Sequence, residues 1–143
     1  MRYLLTGAIK AGKSYRALQI ARSEFSKALA FIATAEVTDA EMEERIAKHR
    51  RERLGSDGRE EFLTIEEPID LDRAIDEACS LLTAPKGMPG IVIDCIPMWV
   101  NNILYYHREQ DLPAILERAI AKLPEDTVIV TNEIGWGNIP YDE

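Results

Sequence analysis

Three groups of residues in this chain have types and spacings that could do chemistry. The first is GAIKAGKS, Gly7 to Ser14, which follows the apolar run Arg2-Tyr3-Leu4-Leu5-Thr6. It satisfies G-x-x-x-x-G-K-S/T between an expected strand and an expected helix. Gly7, Ala8, Ile9, Lys10, Ala11 and Gly12 would turn successive backbone N–H groups toward a phosphate, and the following helix would add its positive end. Gly7 and Gly12 let the backbone turn tightly and approach the anion. Lys13 would reach the terminal phosphates, and Ser14 would offer its hydroxyl to Mg²⁺. This chemistry predicts a bound nucleoside triphosphate without saying which one or which reaction.

The second group is Asp94, which ends the run Ile91-Val92-Ile93-Asp94. An acid at the C-terminal tip of a buried parallel strand is where phosphate-loop proteins hold their metal. A helix cap for the segment after Cys95 is the other reading.

The third group is His49 with Arg50, Arg51 and Arg53. Thr38-Asp39-Ala40-Glu41 reads as a capping box with Thr38 as N-cap, so a helix should start there. At about 100° per residue, Met42, Ile46, His49 and Arg53 share one helical face. Glu41–Arg45 and Glu44–Lys48 are i,i+4 pairs on the solvated flank. Two readings of His49 stay open on these residues alone. One is an incidental histidine at the basic end of a surface helix. The other is a neutral imidazole that attacks phosphorus, with the arginines stabilising the phosphate charge. The other histidine, His107, sits in the polar connection YYHREQ and has no comparable neighbourhood.

Positioning these groups requires a framework of alternating strands and helices. Strand-like runs occur at 2–6, 28–34, 61–65, 90–95 and 127–131. Between them, 14–25, 39–53, 70–82 and 112–123 repeat apolar residues at three- and four-residue steps, as in Leu18, Ala21 and Phe25. Strands alternating with helices predict βαβ units around a mainly parallel sheet. The nearly all-apolar strands predict helices on both faces. APKGMPG at 84–90 reads as a loop.

The 143 residues fit a single domain, residues 1–143, with 46% hydrophobic and 29% charged residues. The net charge of -8 argues against a surface that coats nucleic acid, but not against a local cationic pocket. Cys79 and Cys95 suggest neither a metal pair nor a disulfide framework, which points to a reduced, cytoplasmic setting. No secretory signal is visible before the phosphate loop. The most apolar stretch, IVIDCIPMWV, is short and interrupted by Asp94, so no membrane insertion is expected.

Taken in order, GAIKAGKS, FIATAEVTDAEMEERIAKHRRER, TIEEPIDL, IVIDCIPMWVNNIL and VIVTNEIGWGNIP resemble the bifunctional adenosylcobinamide kinase / adenosylcobinamide-phosphate guanylyltransferase family of cobalamin biosynthesis. The likeness spans essentially the whole chain, and the segment 32–53 and the TNEIGWG block carry more of it than the phosphate loop. It implies a P-loop, RecA-like α/β fold, usually assembled as a homotrimer. It implies two reactions: phosphorylation of adenosylcobinamide by a nucleoside triphosphate, then transfer of GMP from GTP to the adenosylcobinamide phosphate through a guanylylated histidine. That histidine matches His49, with Lys13 serving the kinase step. The family's nucleotide contacts map onto Gly7 to Ser14, Ala33, Thr34, Ala35, Arg50, Arg51, Glu52, Arg53, Glu66 and Asp94, with Mg²⁺ on Ser14 and Asp94. ATP and GTP are the implied nucleotides.

The sequence also departs from the family pattern. Members usually continue past GWG..P with a helix rich in Arg and Asn and a final strand. This sequence ends at Tyr141-Asp142-Glu143, so a domain without that helix and strand is expected. The loop lacks the usual two leading glycines and Arg-Ser pair, and LGSDGREEF lacks the Pro and Trp often found there. A kinase with only the first activity and a non-catalytic nucleotide-binding protein are the competing readings.

Overall fold

The five apolar runs pair into one parallel sheet. The structure, a computed structural model, describes residues 1–7, 12–25, 28–36, 40–82 and 87–131. Ala8, Ile9, Lys10 and Ala11 of the phosphate loop, Thr38 and Asp39 of the expected cap, and the block from Asn132 onward lie outside the described residues. The strands are β1 (Arg2–Leu5), β2 (Leu29–Ala33), β3 (Phe62–Glu66), β4 (Gly90–Asp94) and β5 (Thr127–Val130). Their order in the sheet is β1-β5-β4-β2-β3, and every neighbouring pair is parallel. The strand that leads into the phosphate loop is therefore separated from the strand bearing Asp94 by β5.

Helices α1 (Lys13–Glu24), α2 (Ala40–Glu52), α3 (Leu71–Leu82) and α5 (Leu112–Lys122) fall where the three- and four-residue steps predict them. A further helix, α4 (Ile96–Tyr105), was not among the expected ones, and a single 3-10 turn (Glu109–Asp111) links it to α5. Pro97 sits in the first turn of α4, where its missing N–H is no loss. The helix buries Trp99, Asn102 and Ile103, so a polar residue falls inside its apolar stripe.

Strand alternation divides the core in two. Ala30, Ile32, Ile91 and Ile93 pack with α3, α4 and α5, through Ala74, Ile75, Trp99, Ile103 and Ile115. Phe31, Phe62, Val92, Val128 and Val130 face the other way, onto Ala17, Leu18 and Ala21 of α1. Both faces are thus covered, as the apolar strands require. Gly90 opens β4 directly against Phe25, just past α1, where a Cβ would stand 2.7 Å from the ring. Helix α2 buries none of its residues fully. It is held at its C-terminal end, by Arg22 and Arg53. Among the described residues no helix is long and apolar enough to cross a membrane.

Candidate nucleotide site

The C-terminal ends of the strands form a row whose side chains face α1. Register places Leu5 beside Val130, Val130 beside Asp94, Asp94 beside Ala33, and Ala33 beside Glu66. Neighbouring strands lie about 4.8 Å apart, so Asp94 and Glu66 are about 10 Å from each other across the small Ala33. Three of the residues expected to contact nucleotide therefore come from three strands to one edge.

Helix α1 brings the loop residues to this edge. Gly12, its N-cap, has φ 73°, a left-handed conformation that a residue with a Cβ adopts only at a cost. The chain then turns into α1, whose first N–H groups have no partner within the helix. Lys13 Nζ donates to the Gly7 carbonyl at 3.0 Å, so its side chain reaches the end of the run that begins with β1. The Ser14 hydroxyl donates to Asp94 Oδ2 at 2.5 Å. Asp94 is not a helix cap: the N-cap of α4 is Cys95, and no side-chain hydrogen bond caps that helix.

Burial pushes the Asp94 carboxyl above the ordinary carboxylate range. The Ser14 hydrogen bond and the nearby His49, Arg53 and Lys13 pull it back in part. Residues from two other stretches of chain thus act on the Asp94 carboxyl.

The segment after β2 is tied inward. Thr34 is fully buried. Its N–H donates to the Asp94 carbonyl at 3.0 Å, and its hydroxyl donates to the Cys95 carbonyl at 2.8 Å and accepts from the Cys95 N–H at 3.0 Å. Its carbonyl accepts from Asn102 Nδ2 at 2.8 Å. Thr34 therefore braces β2 against the turn after β4, while Ala33 and Ala35 are only half-buried.

Helix α2 delivers the histidine and the arginines, and Met42, Ile46, His49 and Arg53 are among its less exposed side chains, as their spacing predicts. His49 Nδ1 lies 2.8 Å from Glu52 Oε1, one turn on. Arg50 donates to Glu66 Oε1 at 2.7 Å. Arg51 is exposed. Arg53 is 5% exposed, donates to Thr64 Oγ1 at 3.1 Å and stacks 4.2 Å from the Phe31 ring centroid. Its desolvation lowers the affinity of the guanidinium for its proton, and Arg50 adds to that, while Asp94, Glu66 and Glu60 oppose it. An arginine stays charged even so. A planar, weakly hydrated cation suits this half-apolar seat better than a lysine would.

Beside these groups is a pocket of about 300 Å³ lined by Arg50, Arg53, Glu60, Phe62, Thr64 and Glu66. Sequence reasoning named the two arginines and Glu66 but not Glu60, Phe62 or Thr64. Their signal was the period-two alternation of β3, which puts Phe62, Thr64 and Glu66 on one side. His107 lies in an exposed turn after α4 and takes no part. Cys79 and Cys95 are free thiols.

A glycine-cornered loop ahead of a helix, at the C-terminal edge of a parallel sheet, with a strand-tip acid bonded to the loop's serine, defines a P-loop nucleotide-binding protein of the α/β class. The chain belongs to the cobinamide kinase / cobinamide phosphate guanyltransferase family, which matches residues 3–143. It is 34% identical over 147 residues to the bifunctional adenosylcobalamin biosynthesis protein CobP of Pseudomonas aeruginosa, covering 100% of this chain and 78% of that protein. It is 30% identical over 156 residues to the bifunctional CobU of Escherichia coli, covering 98% of this chain and 79% of the relative. The CobU of Salmonella typhimurium gives the same identity and coverage.

Proposed function

We propose that the chain phosphorylates adenosylcobinamide with a nucleoside triphosphate and then transfers GMP from GTP to adenosylcobinamide phosphate, with His49 as the group that carries the GMP. The supporting observation is the Ser14–Asp94 hydrogen bond at the sheet edge where Arg50, next to His49 in α2, also reaches Glu66. A phosphate held by the loop between Gly7 and Ser14 would lie at this edge, and Arg50 and Arg53 would neutralise charge on the phosphates next to it.

Mg²⁺ fits the residues present. Ser14 Oγ and Asp94 Oδ2 are hard oxygen donors already in contact. No group of three or more His, Cys, Asp or Glu side chains able to hold a metal occurs among the described residues. The protein would then supply two oxygens, and nucleotide phosphates and water the rest, as is usual for Mg²⁺. Bound there, the ion would offset phosphate charge. The cytoplasm and a homotrimeric assembly complete the reading.

The test is incubation with GTP labelled at the α-phosphate, without corrinoid. The protein should acquire label in a bond that is acid-labile and alkali-stable, as a phosphoramidate is and a serine ester is not. His49→Ala should abolish labelling yet keep corrinoid phosphorylation. Lys13→Ala should lower phosphoryl transfer by about 100- to 1,000-fold, the cost of removing one preorganised donor to the developing charge. Label on the His49→Ala protein would overturn the assignment of His49.

A further inference from the structure

Glu52 falls among the positions whose relatives' counterparts are expected to contact nucleotide, yet its carboxylate is committed elsewhere. Oε1 lies 2.8 Å from Nδ1 of His49, with the histidine side chain 40% and the glutamate side chain 26% exposed. Two other acids of the site have partners of their own: Asp94 accepts from Ser14 and Glu66 from Arg50. Each of these three acids thus has its own partner, and the one within hydrogen-bond distance of the imidazole is Glu52.

The backbone at Glu52 is fixed as well. Arg22, from the helix that follows the phosphate loop, donates through Nη2 to the Glu52 carbonyl at 2.7 Å and to the Leu54 carbonyl at 3.4 Å. Its Nε pairs with Glu61, and the guanidinium sits 5.5 Å from the centroid of Phe62. The first of these bonds caps the last carbonyl of α2, which no intrahelical N–H can satisfy, and the second holds the turn just beyond it. An exposed i,i+3 pair on a free helix would hold its geometry weakly. Here the turn carrying both partners is pinned to α1.

We propose that Glu52 is a positioning residue that holds His49 in the tautomer protonated at Nδ1, so that Nε2 presents its lone pair to the nucleotide. This rests on the reading of His49 as the nucleophile. In the transfer, the Nε2 lone pair forms the N–P bond to the α-phosphorus of GTP. The P–O bond to pyrophosphate breaks, and its electron pair leaves with pyrophosphate. The Nδ1 proton stays on the ring, which becomes cationic, with the Glu52 carboxylate against it. When an oxygen of the corrinoid phosphate takes the phosphorus, the N–P pair returns to Nε2 and the same tautomer is restored. Carboxylate-oriented imidazoles use the same logic in other nucleophilic and metal sites.

The test pairs a spectroscopic readout with kinetics on the whole protein. Histidine ring nitrogen-15 NMR of the ligand-free protein at alkaline pH reports which nitrogen carries the proton, and His49→Ala assigns the signals against His107. Wild type should show protonated Nδ1 and bare Nε2 at His49. Glu52→Ala should shift His49 toward the Nε2-protonated form. It should also slow labelling by α-labelled GTP by about 10- to 100-fold, with KM for GTP nearly unchanged. Glu52→Gln offers a carbonyl oxygen in the same place, so it should keep the tautomer and recover part of the rate. An unshifted tautomer in Glu52→Ala overturns the proposal, and so does a rise in KM at constant kcat, which would make Glu52 a nucleotide contact. The NMR result does not depend on guanylylation, so absence of label on wild type would remove the nucleophile reading alone.

Discussion

Asp94 and Glu66 stand on the same side of the sheet, each in register with Ala33, the one strand-end residue between them. Each acid is already engaged, Asp94 by Ser14 and Glu66 by Arg50. The floor between them is a single methyl group. A larger side chain there would occupy the space that separates the loop's serine from the arginines of α2. Ala33→Leu should therefore weaken binding of a fluorescent GTP analogue by about tenfold, roughly 1.4 kcal/mol. Ala33 is only half-buried, so the melting temperature should barely move. Wild-type affinity in this variant would mean that the nucleotide does not cross the row.

Asp94 should make the ligand-free protein less stable as pH rises. Burial raises its carboxyl, and Ser14, His49, Arg53 and Lys13 offset that only in part. A raised acid favours the protonated folded state. Its contribution is complete below the ordinary carboxylate value of about 3.9 and is lost as pH climbs through the folded value. Asp94→Asn removes the charge and keeps the shape. Without ligand it should melt above wild type at neutral pH, and the gap should close in acid. Turnover should meanwhile require more Mg²⁺. A variant that melts below wild type at neutral pH would show that the charge is net stabilising in place.

Strands were the most legible part of the sequence, because five apolar runs bounded by turns have few alternatives once helical periods separate them. The pairing of Ser14 with Asp94 was legible because phosphate-loop chemistry fixes residue type and spacing together. Helix α4 was not. Asn102 breaks the apolar stripe, and Pro97 reads as a breaker unless it is known to lie in a first turn. Glu52 was legible by position but not by partner. Spacing puts it one turn from His49, yet only the tertiary bonds from Arg22 to the end of α2 show why that turn is rigid. Thr64 and Glu60 were harder to read: strand alternation groups them with Glu66, but only the fold shows Arg53 bonded to Thr64 and lining the same pocket.

Gly90 is a packing requirement rather than a turn. Its added Cβ would meet Phe25 Cδ2 at 2.7 Å and Leu29 Cδ2 at 3.1 Å, at the start of a strand that ends in Asp94. Gly90→Ala should cost about 1–3 kcal/mol in urea unfolding, the usual range for an overpacked core. Phe25→Leu in the same background should recover part of it. An unchanged midpoint for Gly90→Ala would mean that the Phe25 ring moves aside freely.

Asn102 links the missed helix to the site. It is 8% exposed, and its amide donates to the Thr34 carbonyl at 2.8 Å and the Pro68 carbonyl at 3.1 Å. Those carbonyls follow β2 and β3, so α4 lies over the ends of the two strands that carry Ala33 and Glu66. Trp99 adds a parallel tie, donating to the Ile69 carbonyl at 2.6 Å. Asn102→Leu keeps the approximate volume and strands the buried Thr34 carbonyl and the part-buried Pro68 carbonyl, an unsatisfied buried group costing about 1–3 kcal/mol. A loss of roughly 2–4 kcal/mol in urea unfolding should follow, with weaker nucleotide binding as Thr34 loosens. Asn102→Asp is the sharper comparison. An ionised carboxylate would set acceptors against both carbonyls, whereas a protonated one could still donate to one of them. Its destabilisation should thus exceed that of Asn102→Leu at alkaline pH and shrink as the solution is made acid. Equal losses for the two variants across that pH range would show that the amide's hydrogen bonds are not what holds α4 over the strand ends.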